Sequence, residues 1–134
     1  MRKRINGLLV ETSGDNGYFQ QQPCDWWQSG DLTAASTVKT QAAPGSKKRL
    51  IITVALIQLR GANASNTQTG TLAWTLGSAA KSFILAIGNT RIDGEIVGLT
   101  QPIQTDENTA VTFTIAIAGS QTIHYAFGGY TEKL

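Results

Sequence analysis

Short runs of alternating apolar and polar residues dominate the chain from residue 44 onward. In residues 109–117, apolar side chains alternate with Thr and Ala, which is the period-two pattern of a strand with one face in a core. Residues 71–76 alternate in the same way and place Trp74 on the predicted core face. Gly, Asn, Asp and Pro separate these runs. The pattern predicts an all-β fold, an antiparallel β-sandwich or jelly roll of about seven to eight strands.

Turn residues divide the predicted strands. Gly77-Ser78 marks one turn, and Pro102 marks an edge or a break. The two hairpin signals Gly88-Asn89 and Asp93-Gly94 lie too close together for both to close long hairpins, so one of them is a bulge or a kink. We expect the last two strands to pair as a hairpin across Gly119-Ser120. The predicted strands cover residues 37–41, 49–59, 71–76, 82–87, 95–105, 109–117 and 122–130.

The strand at residues 49–59 departs from alternation because apolar residues occupy both of its faces. One face would carry Leu50, Ile52, Val54 and Leu56, and the other Ile51, Ala55, Ile57 and Leu59. A strand that is apolar on both faces is covered on both. We therefore expect another segment or another subunit to cover its outer side.

Residues 1–35 differ from the rest and are expected to form an N-terminal arm, with the sandwich domain at residues 36–134. A short strand is predicted at residues 5–10. The residues at 31–36 are compatible with a single helical turn. The aromatic, Gln-rich residues 18–27 follow neither period and are expected to be extended and to need a packing partner.

Composition limits the classes of function. The chain has 134 residues, which suits one domain, and its formal net charge of +2 does not favour nucleic-acid binding. Cys24 is the only cysteine, so no disulfide forms within the chain. No secretory signal is expected, because Asn6, Gly7, Glu11 and Ser13 interrupt the apolar residues after the basic start. The longest apolar run, residues 50–59, is too short to span a membrane. We expect a soluble protein made in a cytoplasm.

Candidate catalytic groups are sparse. The only histidine, His124, lies in a predicted strand and is expected to point outward or into an interface. Nucleophilic catalysis would require Cys24 or a serine beside it. Asp93 and Glu95 are better explained by a turn than by a carboxylate pair. We assign no catalytic residue and expect no enzyme activity.

Metal and cofactor sites are likewise not predicted. Single Cys and His residues disfavour zinc. Asp106, Glu107 and Asn108 offer calcium ligands without the spacing of a known loop. Gly128-Gly129 lacks the helix that follows a phosphate-binding glycine loop. No metal and no cofactor are expected.

Two segments resemble small β-sandwich virion proteins of tailed bacteriophages. In those proteins a Pro-Gly turn and basic residues lead into a long apolar strand, as in AAPGSKKRLII at residues 42–52. The end of the chain, IHYAFGGYTE at residues 123–132, is similar to their final strand. The resemblance covers roughly residues 36–134. It implies a jelly-roll-like capsid decoration or cement protein, commonly a trimer, with no catalytic residues and with arms that cross neighbouring subunits.

The sequence therefore favours a structural virion protein that binds a major capsid protein or other virion proteins as a homo-oligomer, with a trimer preferred. A tail, neck or fibre protein and a carbohydrate-binding module are the alternatives, the last because Trp26, Trp27 or Trp74 could stack on a sugar ring. No nucleic-acid or membrane partner is expected. The predicted interface residues are Tyr18, Phe19, Trp26, Trp27, Ile51, Ile57 and Leu59.

Overall fold

The structure is a computed structural model that describes residues 2–5, 8–11, 19–21, 24–60, 67–88, 94–119 and 121–134, with side chains described from residue 24 onward. Every regular element in these ranges is a strand. Consequently, none of the described residues belongs to a helix suited to crossing a membrane. The strands are β1 (Arg2–Ile5), β2 (Leu8–Glu11), β3 (Phe19–Gln21), β4 (Trp26–Leu32), β5 (Ser36–Gln41), β6 (Lys48–Arg60), β7 (Gln68–Leu76), β8 (Ala79–Ile87), β9 (Ile96–Gly98), β10 (Ile103–Glu107), β11 (Val111–Ala116) and β12 (Thr122–Lys133).

Nine of these strands form a sandwich of two antiparallel sheets. The first sheet has the order β10-β6-β12-β4, with β9 also paired to β6, and the second has the order β5-β11-β7-β8. Strands β1, β2 and β3 pair with one another in a separate three-stranded sheet. The predicted all-β sandwich is confirmed.

The pairing of the strands follows the order of a jelly roll. With β9 and β10 counted as one interrupted strand, the sandwich has eight strands in chain order. The first pairs with the last (β4 with β12), the second with the seventh (β5 with β11), the third with the sixth (β6 with β9 and β10), and the fourth with the fifth (β7 with β8). Pairing of β6 with β12 and of β7 with β11 completes the sheets. The chain is thus a long hairpin rolled into two layers.

The core lies between the two sheets and is built from the inward residue of each alternating pair. Aromatic rings from both layers meet at its centre, with the ring centroids of Phe113 on β11 and Phe127 on β12 separated by 5.5 Å. Trp26 on β4 packs edge-on against Phe127 with a centroid separation of 5.7 Å. These contacts join the two layers and bring β4, near the start of the described sandwich, against the last strand of the chain.

A β-bulge in β6 changes which of its side chains face the core. Opposite this strand, Gly128 pairs with Val54 and Gly129 pairs with Ile52, so that Thr53 has no direct partner on β12. An extra residue of this kind shifts the alternation of a strand by one position. The inward positions are therefore even-numbered before the bulge and odd-numbered after it.

This shift corrects the prediction that β6 has two apolar faces. The core side of β6 consists of Leu50, Ile52, Ala55, Ile57 and Leu59. Of the apolar residues of β6, only Ile51, Val54 and Leu56 remain on its outward side. The run of apolar residues is explained mainly by one core face that changes parity at Thr53, rather than by a second face that needs a cover.

The close approach of β6 and β12 at the bulge requires glycine on β12. A Cβ atom added to Gly129 would overlap the carbonyl oxygen of Ile51, and one added to Gly128 would lie 2.5 Å from Cε3 of Trp27. The first collision is with the backbone, which no side-chain rotation relieves. Gly128-Gly129 thus serves strand packing.

The predicted final hairpin is wrong in its pairing, although both strands form. Strand β11 lies between β5 and β7, whereas β12 lies between β6 and β4 in the other sheet. Because β11 and β12 face each other across the core, both strands bury their apolar sides. The Gln68 side chain holds the connection on the β11 side, since its Nε2 donates to the carbonyl of Ala118 at 3.0 Å and its Oε1 accepts from the N–H of Ala118 at 2.7 Å.

The N-terminal boundary also changes. Residues 26–32 were assigned to an arm, but they form β4, which pairs with β12 from Trp26↔Gly129 to Leu32↔Ile123. The sandwich therefore begins within the predicted arm. Residues 31–36 contain no helical turn, and the predicted strand at residues 5–10 is replaced by the paired strands β1 and β2.

Other local predictions hold. Strand β5 matches the weak strand expected at residues 37–41, and a two-residue turn at Gly77-Ser78 joins β7 to β8 with φ angles of 63° and 61°. Pro102 lies in the break between β9 and β10. The competing signals Gly88-Asn89 and Asp93-Gly94 include residues 89–93, which lie outside the described residues.

We predict that Gly129→Ala destabilises the protein by roughly 3 kcal/mol or more, because the added methyl group collides with backbone at the bulge. Urea unfolding followed by tryptophan fluorescence measures the change. Gly30→Ala on the adjacent strand is the matched control, since its Cβ would lie 3.6 Å from Cε1 of Tyr125, an ordinary contact. Equal stability of the two variants would show that the bulge tolerates a side chain.

Candidate interaction surfaces

The residues predicted to form an interface are separated by the fold. Trp26 is 7% exposed and belongs to the core, and Ile57 and Leu59 are fully buried there. These three predictions are corrected, because inward alternation and the bulge direct these side chains between the sheets. Ile51 points outward but is covered, whereas Trp27 is 52% exposed. Tyr18 lies outside the described residues, and Phe19 is described only as part of β3.

The outward side of the sheet β5-β11-β7-β8 carries no charged residue, and we call it the uncharged face. The strand register places its residues in rows across all four strands. On a typical soluble surface about a quarter to a third of residues are charged, so roughly four charges would be expected among its fourteen positions. The uncharged face consists of Ser36, Val38, Thr40, Thr69, Thr71, Ala73, Thr75, Ala80, Ser82, Ile84, Ala86, Thr112, Thr114 and Ala116.

The middle row of the uncharged face has an aliphatic residue at each end and two threonines between them. Val38 on β5 pairs with Thr114 on β11, which pairs with Thr71 on β7, which pairs with Ile84 on β8. Val38 is 58% exposed and Ile84 is 62% exposed. The face therefore presents methyl and hydroxyl groups over its centre and aliphatic side chains at both edges.

The outward side of the other sheet is mixed in character. Trp27 lies over Gly128, and its exposed ring shares this side with two cross-strand contacts, a histidine–carboxylate hydrogen bond and an Arg–Glu ion pair. Nδ1 of His124 lies 2.7 Å from Oδ1 of Asp31, and Nε of Arg49 donates to Oε2 of Glu132 at 2.7 Å. This surface combines one flat aromatic ring with charged groups.

An apolar cleft opens at the edge of the sandwich where β8 approaches the segment between β9 and β10. Its volume is about 290 Å³, and we call it the edge cleft. The predicted core residue Trp74 packs against the core from the cleft wall, and Phe83 beside it is 46% exposed. The edge cleft is lined by Trp74, Phe83, Leu99, Thr100, Gln101, Pro102 and Ile103.

The candidate catalytic and calcium-binding residues contact other groups. His124 pairs with Asp31, while Sγ of Cys24 lies 3.7 Å from Oγ1 of Thr53. Oδ1 of Asn108 accepts the N–H of Gly45 at 3.0 Å. Within the part of the chain that the structure describes, no group of three or more His, Cys, Asp or Glu residues is arranged to hold a metal ion.

Asp106 connects the two sheets. Its Oδ1 and Oδ2 accept the N–H groups of Gly77 and Ser78, each at 2.8 Å, across the turn between β7 and β8. The hydrogen bonds from Ser78 and then Gly77 lower the pKa of the Asp106 carboxyl below its ordinary value of 3.8. Its role is to cap a turn whose two N–H groups point toward it.

No protein-family model matches this chain, and no curated protein matches it. Sequence reasoning missed the uncharged face and the edge cleft. Each strand of the face shows alternate small or hydroxyl residues, but only the pairing of strands places those residues side by side.

We predict that Asp106 makes stability depend on acid pH. Because the folded pKa is lowered, its contribution is fully present above the unfolded carboxyl pKa and is lost as pH falls through the folded pKa. Asp106→Asn should therefore reduce the free energy of unfolding at neutral pH, and its difference from wild type should shrink in acid. Urea midpoints across a pH series test this. A constant difference throughout the series would contradict the role of the charge.

Proposed function

We propose that this chain is a non-enzymatic structural protein of a virion, a capsid decoration or cement protein that stabilises the head by adhesive contacts. The uncharged face is the observation that carries the proposal, because a flat surface without charges is suited to packing against another protein. The resemblance in residues 42–52 and 123–132 and the jelly-roll strand order support it, since viral capsid domains are among the proteins that use this architecture. The fold alone does not specify a function.

The size of the uncharged face determines how it would act. Four strands about 4.8 Å apart and roughly 20 Å of strand length give about 400 Å² per subunit. Contact with a partner of equal area would bury about 800 Å² in total, below the roughly 1,200 Å² of stable standard interfaces. One contact would be weak, and retention on a particle would depend on many copies or on linked subunits.

The partners in this proposal are a major capsid protein or another virion protein, with the chain itself as a homo-oligomer. The resemblance favours a trimer. Thr and Ser hydroxyl groups on the face can bond to backbone groups of the partner, while Val38 and Ile84 bury aliphatic surface at the margins. The protein would be made in the host cytoplasm and would reside in the virion.

We predict that Thr114→Lys, at the centre of the uncharged face, releases the protein from purified particles of the virus that encodes it. A buried charge without a partner opposes docking of an uncharged surface, so the particle-bound fraction should fall at least tenfold in a sedimentation assay. Ser29→Lys, exposed on the other sheet, is the matched control and should bind as wild type. Absence of the wild-type protein from purified particles would refute the virion assignment.

Exposure of Trp27 favours a second candidate, a carbohydrate-binding module. A half-exposed indole beside Gly128 offers a ring on which a sugar can stack. The polar groups of Asp31 and His124 lie on the same side of the sheet. Trp26 cannot take this role because it is part of the core.

We predict for this candidate that Trp27→Ala abolishes binding on a glycan array while leaving the fold and particle binding unchanged. The indole would supply the apolar surface on which the sugar ring stacks, so binding should fall below the detection limit of the array. Wild-type protein that binds no glycan on the array would eliminate the candidate.

A further inference from the structure

Strand β8 forms a long sheet edge without a proline or a bulge to block pairing. It has nine residues, pairs with β7 in unbroken register, and has no described strand on its other side. Natural edge strands are commonly blunted by proline, bulges or charged residues. On β8 the only charged residue is Lys81, and Phe83 and Ile84 are exposed at its centre.

The other sheet edges are better protected. The edge formed by β9 and β10 is interrupted at Pro102, and a register shift lies between Gln104 and Glu107. Strands β5 and β4 carry one charged residue each, as β8 does, but they offer only six and seven residues for pairing against its nine. Strand β8 is therefore the edge most open to a further strand.

The turn at Gly77-Ser78 fixes which backbone groups of β8 are free. A two-residue turn with two positive φ angles is closed by a hydrogen-bonded pair, here Leu76 and Ala79. Along an antiparallel ladder, hydrogen-bonded pairs alternate with pairs whose N–H and C=O groups point away from the partner strand. The N–H and C=O groups that point away from β7 therefore belong to Ala80, Ser82, Ile84 and Ala86.

We propose that a second copy of this chain adds its own β8 to this edge in antiparallel orientation, so that two four-stranded sheets join into one sheet of eight strands. A register centred on Phe83 pairs all nine residues of both strands and forms about eight backbone hydrogen bonds from the free groups. It places Lys81 opposite Leu85 of the second copy, so the two lysines do not face each other. Two identical strands have equal lengths, and in this register their free backbone groups lie opposite one another. This complementarity favours a second copy over an unrelated partner.

The edge cleft supports the same arrangement. Phe83 lines this cleft and is nearly half exposed. In the register centred on Phe83, the two Phe83 side chains lie side by side on the inner side of the joined sheet, where each covers the mouth of a cleft. Pairing thus buries backbone groups, the aromatic ring and apolar cleft surface together. This contact does not depend on the virion assignment.

A charged variant at the edge tests the pairing. Ile84→Lys places a lysine on each of the two paired strands, in diagonal positions close enough to repel each other. Lysine is also a residue that natural proteins use on edge strands to prevent pairing. Val38→Lys is the matched control, since Val38 has similar exposure, lies in the same row of the same sheet and occupies the opposite edge. Light scattering after size exclusion measures the mass, and circular dichroism checks the fold of both variants.

We expect wild type and Val38→Lys to contain an even number of 14.3 kDa chains and Ile84→Lys to have half that mass. A dimer that becomes a monomer and a hexamer that becomes a trimer both support the proposal. A wild-type monomer, or an Ile84→Lys variant of unchanged mass, overturns it.

A cysteine variant tests the register. In a Cys24→Ser background, Phe83→Cys places two cysteines opposite each other in a pair with Cα atoms about 4.5 Å apart, within the range that a disulfide spans. We expect a covalent dimer under mild oxidation, and no such dimer from Val38→Cys in the same background. Absence of the Phe83→Cys dimer from a protein of dimeric mass would overturn the register.

Discussion

Gly129 on β12 lies so close to the carbonyl group of Ile51 on β6 that a hydrogen atom is the largest substituent it can carry. This approach occurs at the bulge where Thr53 is passed over in the pairing of the two longest strands. The bulge sends Leu50 and Ile52 into the core on one side and Ile57 on the other. The inward face of the central strand, and with it the centre of the sandwich, depends on this one geometric adjustment.

The same adjustment explains how far the fold could be predicted from the sequence. Alternation identifies strands well when register is regular, as in β7 and β11, because each inward residue follows from the previous one. In β6 a single inserted residue inverts the assignment of every later position. Ile57 and Leu59 therefore looked available for an interface, although both are fully buried. Nothing in the local sequence marks Thr53 as the inserted residue, and the glycine pair that permits the bulge lies on β12.

Strand pairing is harder to predict than strand formation for a related reason. Strands β11 and β12 are adjacent in sequence and separated by a glycine, which is typical of a hairpin, yet they lie in opposite sheets. Residues that are distant in sequence determine this pairing. Gln68 forms hydrogen bonds with Ala118 in the connection, and β5 and β7 pair with the two edges of β11. The residues of a surface come together only when strands pair, so the sequence did not reveal the uncharged face. For the same reason, the sequence indicated that Trp26 and Trp27 point to opposite sides of a strand but did not decide which of them is exposed.

The uncharged face and the open edge at β8 share Ile84, and each affects what the other can do. Alone, a face of about 400 Å² gives only a weak contact. In the proposed pairing of two β8 strands, the outward sides of the joined sheets continue into each other, and the uncharged area presented by the pair doubles to about 800 Å². A doubled face binds as a linked pair of weak sites, whose combined retention exceeds that of either one. Edge pairing would therefore convert a subunit that adheres poorly into a unit that remains on a repeating surface, without any additional side-chain contact.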